Sequence, residues 1–96
     1  LKKDDIKKIA SNMLEILRKR TSGLGIEISF DESAVDKIAD EGFDPVYGAR
    51  PLRRAIQSKI EDKLSEKMLD SSVSAGKKYA CKYKDDDFVF EEAEAE

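Results

Sequence analysis

Apolar residues recur at helical spacing in three stretches of this chain, and three shorter stretches have the pattern of strands. Ile6, Ile9, Ala10, Met13, Leu14 and Leu17 mark one face of a helix. Asp4 and Asp5 suit its N-cap and first turn. The spacing predicts a helix from about Asp4 to Thr21. The stretch "TSGLG" stops it, with Gly23 or Gly25 able to take positive φ. "IEISF" then puts Ile26, Ile28 and Phe30 on one face and Glu27 and Ser29 on the other, as in a short half-buried strand. Asp31 caps a second helix with a narrow apolar face of Ala34, Val35, Ile38 and Ala39, and Gly42 ends it.

"FDPVYGAR" is a connector, because the residue before Pro45 is held out of the helical region. Pro51 suits the first turn of a third helix, where its missing N–H costs little. Leu52, Ile56, Ile60, Leu64 and Met68 follow in steps of four, with Ala55 and Leu69 widening the stripe. That helix is predicted from about Pro51 to Leu69. "DSSVSAGK" is a loop. Tyr79, Cys81 and Tyr83 alternate with Ala80 and Lys82, "KDDD" turns the chain, and "FVFEE" returns it as a hairpin. The expected fold class is α+β: three helices packed on a small three-stranded mixed sheet.

The chain has 96 residues, 40% apolar and 41% charged, which suits one domain with a modest core. The domain is expected over residues 1–91, with 92–96 as a disordered acidic tail. The net charge of −3 argues against nucleic acid as a partner. No apolar run has the length of a membrane span and no signal peptide is visible, so the cytoplasm or an organelle matrix or stroma is the expected compartment. With no histidine and one cysteine, the usual zinc sets, His-based catalysis and internal disulfides are excluded. The chain opens at Leu1, without a start methionine, directly into a helical pattern. It reads as a piece of a longer protein.

Charge is unevenly spread. Residues 85–96 hold seven acids and no base, whereas residues 46–69 hold six bases against three acids. Arg50 sits at a helix start, where the backbone already carries partial positive charge and a cation is mildly disfavoured. Arginines beside a helix N-terminus suit an anion such as phosphate, and a plain surface arginine is the alternative. Arg53 and Arg54 read either as a solvated helix face or as a contact with an acidic neighbour. Cys81 falls in the inward phase of its strand and reads as a small buried hydrophobe. Asp85, Asp86 and Asp87 lack the spaced ligands of a calcium loop and read as a turn. No paired carboxylates and no Walker A loop occur, so no catalytic residue and no metal ligand is assigned.

"EGFDPVYGARPLRRAIQSKIEDKLSEKML" resembles the C-terminal small domain of Clp-type AAA+ heat-shock ATPases, the ClpB, ClpC and ClpE group. The resemblance covers nearly the whole chain, and the "DPVYGARPLRR" connector is its specific part. It implies the lid domain of the second ATPase module of an ATP-driven protein unfoldase. That lid packs on its own large AAA+ subdomain and on neighbouring subunits of a homohexameric ring, and the parent can engage a ClpP-type peptidase. Arg50 would be the sensor-2 arginine reaching the γ-phosphate of ATP. Gly48 and Ala49 would lie close to the nucleotide, and Ile9 would line the adenine pocket. ATP would bind only together with the large subdomain, and this chain alone would not be an enzyme. The alternative is a free-standing interaction module that uses the basic face of the third helix.

Overall fold

The computed structural model describes residues 2–93. Helix α1 (Lys3–Ser22) starts where the Asp5 carboxylate reaches back to accept the Lys2 backbone N–H at 3.1 Å. Its first turn holds Asp4 and Asp5 and its last turn Lys19 and Arg20, matching charge to the helix dipole at both ends. Ile6, Ala10, Leu14 and Leu17 are buried along one face. Thr21 is buried beside them, and its hydroxyl donates to the Arg18 carbonyl at 3.0 Å, so no polar group is stranded.

Strand β1 (Glu27–Phe30) leads into helix α2 (Glu32–Glu41). Asp31 caps α2 as its position predicts, accepting the Ser33 N–H at 3.1 Å. Ala34, Ile38 and Ala39 of α2 are buried.

The third helix runs without a break from Leu52 to Leu69 but is not α-helical throughout. An α segment, α3 (Leu52–Ile56), passes into a single wide π turn (Gln57–Glu61) and then into α4 (Asp62–Leu69). Both joints keep right-handed helical angles, with φ and ψ of −62° and −47° at Gln57 and −64° and −40° at Asp62. The apolar spacing explains the wide turn. Three α-helical turns take about 10.8 residues, so the twelve residues from Leu52 to Leu64 would drift roughly 120° around a regular α-helix. A π turn absorbs about one extra residue and returns Leu64 to the buried face. Leu52, Ile56, Ile60 and Leu64 are all buried. Beyond the π turn the step of four drifts again. Met68 and Leu69, expected on the stripe, are instead 38% and 87% exposed.

Strand β2 (Lys78–Lys84) pairs with β1 in parallel and with β3 (Asp87–Ala93) in antiparallel fashion, giving the order β1-β2-β3. The parallel pair needs a crossover, which α2 and the third helix supply. In register, Ile28 faces Tyr79, Phe30 faces Cys81, and Tyr83 faces Phe88. Asp85 and Asp86 have φ of 50° and 62°, so "KDDD" is a two-residue turn of the type that matches hairpin twist. The sheet's inner residues Ile28, Tyr79, Cys81 and Phe88 join the buried faces of α1, α2 and the third helix in one core. β3 runs to Ala93, so Glu92 and Ala93 belong to the sheet rather than to the acidic tail expected over 92–96. Glu92 is opposite Tyr79 and Ala93 opposite Lys78. The rest of that tail, residues 94–96, lies outside the described residues.

Candidate functional site

The connector between α2 and α3 is a loop whose two feet touch. Gly42, at the end of α2, donates its N–H to the Ile38 carbonyl at 2.9 Å. A Cβ placed on Gly42 would meet the Cδ1 and Cα atoms of Leu52 at 2.5 and 2.7 Å, so only glycine lets α3 start this close. Asp44 organises the span between the feet. Its Oδ1 accepts the N–H groups of Val46 at 2.7 Å and Tyr47 at 3.0 Å. Asp44 and Gly48 also exchange backbone hydrogen bonds in both directions, at 2.8 and 2.7 Å. Gly48 closes that ring with a φ of 65°, a conformation other residues adopt at a cost.

The backbone then steps straight into α3. The Arg50 N–H donates to the Tyr47 carbonyl at 3.2 Å, and the Leu52 N–H donates to the Ala49 carbonyl at 3.0 Å. Ala49 is half-buried against the core, and Leu52 is fully buried. Arg50 lies between two anchored neighbours with its side chain exposed. Its guanidinium carbon is 5.8 Å from the centre of the Tyr47 ring. The ion pairs among the described residues engage none of Arg50, Arg53 and Arg54. Phe43, Val46 and Tyr47 beside them are exposed.

Helix α1 lies against the third helix. Arg20 pairs with Glu61 at 3.0 Å near one end. Met13 and Arg53 line a groove of about 270 Å³ further back, together with Ile16, Ile56 and Gln57. Ile9 is half-buried against the core.

The other weighed residues have structural work. Cys81 is fully buried, and burial, followed by the charge of Asp31, pushes its thiol up to about 12. It is packing, not a nucleophile. Asp87 pairs with Lys63 at 2.7 Å, tying the hairpin to α4.

Residues 1–81 match the family model of the C-terminal, D2-small domain of ClpB protein. The chain belongs to this family. The chaperone protein ClpB of Prochlorococcus marinus is 41% identical over 90 residues, which are 94% of this chain and 10% of that protein. The ATP-dependent Clp protease ATP-binding subunit ClpC of Staphylococcus aureus is 46% identical over 94 residues, 98% of this chain and 12% of that protein. The chain thus spans about a tenth of the length of the Clp relatives it matches. It is a C-terminal small domain of a Clp ATPase, with the α+β architecture just described. The exposed Phe43, Val46 and Tyr47 fell inside a stretch read only as a connector. The π turn had a signal in the strict step of four along the third helix.

Proposed function

We propose that this domain is the lid of an ATP-driven Clp unfoldase and that Arg50 is its sensor-2 arginine, reaching the γ-phosphate of ATP held by the large AAA+ subdomain. The observation that carries this is an exposed arginine, outside every ion pair of the described residues, on a backbone fixed on both sides. A cation in that state is available to an anion from outside the domain, and a guanidinium fork matches phosphate oxygens. Gly48 and Ala49 let the backbone approach the nucleotide, and Ile9 supplies an apolar wall beside adenine. Arg53 and Arg54, exposed and outside those ion pairs, face the neighbouring subunit of a hexameric ring.

The test is steady-state ATPase activity and nucleotide affinity of the full-length protein, with ring assembly followed by light scattering. Arg50→Ala should fold and assemble normally, because Arg50 fills no cavity. ATP turnover should fall by about 10²–10³-fold, the range for removing one preorganised donor from a developing charge. Arg50→Lys should restore part of it, keeping the charge but not the fork. Arg53→Ala should change turnover per assembled ring less than Arg50→Ala. Wild-type turnover and affinity in an assembled Arg50→Ala ring would overturn the sensor assignment. Normal assembly of a variant lacking both Arg53 and Arg54 would remove the case for their place at the subunit contact.

A further inference from the structure

Tyr47 is an aromatic ring that the core does not use: it is 59% exposed, on the loop that carries Arg50. Its backbone is nevertheless held tightly. The Tyr47 N–H donates to Asp44 Oδ1 at 3.0 Å, and the Tyr47 carbonyl accepts the Arg50 N–H at 3.2 Å. The Asp44–Gly48 pair closes the turn around both. These bonds set the ring and the arginine on the same side of one tight turn, and the guanidinium carbon stands 5.8 Å from the ring centroid. At that range the negative face of an aromatic ring attracts a cation. The geometry has a useful asymmetry. A guanidinium held over the ring keeps the N–H groups that point away from it for phosphate oxygens, so the two contacts do not compete.

We propose that Tyr47 is a positioning residue for Arg50, shelving the guanidinium on its ring so that the fork already points outward when a γ-phosphate arrives. The proposal rests on the sensor reading of Arg50 given above. A side chain ordered beforehand loses less freedom on binding, and that saving appears as affinity. The benefit is confined to ligands that Arg50 touches. It therefore belongs to a triphosphate and not to a diphosphate.

The experiment uses the full-length protein and measures binding of a slowly hydrolysed ATP analogue and of ADP by calorimetry. Tyr47→Leu removes the ring's electrostatic face but keeps apolar bulk, and Tyr47→Phe keeps the ring without its hydroxyl. Tyr47→Leu should weaken the triphosphate by about 3–10-fold and leave ADP unchanged. Tyr47→Phe should behave as wild type. Adding Tyr47→Leu to Arg50→Ala should cost nothing further. If Tyr47→Leu matches wild type while Arg50→Ala is impaired, the shelf is wrong and the sensor reading stands. Equal losses for both nucleotides, or a loss that persists in the Arg50→Ala background, would mean that the ring meets nucleotide or protein directly and would overturn the proposal. A Tyr47→Phe variant as weak as Tyr47→Leu would overturn it in favour of the hydroxyl. An Arg50→Ala protein that binds the triphosphate normally would sink the sensor reading and this inference together.

Discussion

Replacing Gly42 by alanine tests the contact between the two feet of the connector. Gly42 has φ of −94° and ψ of 4°, outside the left-handed region that favours glycine. The new methyl is the whole perturbation. It would stand 2.5 Å from Leu52 Cδ1, 2.7 Å from Leu52 Cα and 3.0 Å from Leu52 Cβ. Carbon atoms pack best at about 3.5–4.0 Å, so roughly 1 Å of separation must be found. Leu52 is fully buried, and its Cα is backbone, so rotating a side chain cannot supply that room. The end of α2 must move away from the start of α3, at the cost of overpacking, about 1–3 kcal/mol. Alanine also stiffens the unfolded chain, which offsets about 0.4–1 kcal/mol. The net loss should be about 1–2 kcal/mol, lowering the thermal midpoint by about 4–15 °C in a domain of this size. Urea unfolding of the 96-residue domain, followed by circular dichroism, measures it. Gly23→Ala is the control. Gly23 has φ of −62° and its Cβ would come no closer than 3.3 Å to the Arg20 carbonyl oxygen, so the change should stay within about 0.5 kcal/mol. A Gly42→Ala protein as stable as wild type would show that the feet are not in close contact.

Ile60→Ala should cost about 2–5 kcal/mol, because Ile60 is fully buried on the wide turn; a loss below about 1 kcal/mol in the same urea assay would put the buried face elsewhere. The Cys81 thiol, raised to about 12, should resist iodoacetamide at neutral pH and become labelled only as urea unfolds the domain; mass spectrometry showing rapid labelling of folded protein would contradict its burial. The hydrogen bond from Lys63 holds the Asp87 carboxyl below its ordinary range, and the carboxyls of Asp31, Asp70 and Glu91 are lowered as well. A carboxylate lowered in the folded state contributes stability above its unfolded pKa and loses it as pH falls through the folded value. Stability should therefore be flat near neutrality and decline below about pH 4. Asp87→Asn should make that decline shallower, and an unchanged acid profile would mean that the Lys63 pair is not formed in solution.

The elements were legible where local chemistry and burial agree. "IEISF" alternates because one face of β1 meets the core, and Asp31 caps α2 through its own carboxylate, so both could be read from a few neighbouring residues. The end of β3 could not. Glu92 and Ala93 look like the start of an acidic tail and become strand only by pairing with Tyr79 and Lys78, a dozen or more residues away. Gly42 read as a helix stop, and nothing local says that Leu52 will press against it. Arg50 stood out by its oddity beside a helix start. Its proposed role came from the likeness of the whole connector to Clp domains, not from spacing. Tyr47 gave no signal, since an aromatic in a loop acquires meaning only once the turn brings it beside the arginine.

The wide turn in the third helix makes one residue there dispensable. A π turn holds about one residue more than the α turn it replaces, and the twelve-residue step from Leu52 to Leu64 is one residue longer than three α turns need. Deleting Lys59, which is exposed within that turn, would leave a step of eleven residues from one leucine to the other and a regular α-helix joining them. Every buried position on both sides would keep its heading. The same deletion in the middle of α1 would swing the following residues by about 100° and turn Leu17 away from the core. Length variation among relatives of this domain is thus expected to collect at residues 57–61 rather than elsewhere in its helices, and a one-residue-shorter domain should remain folded.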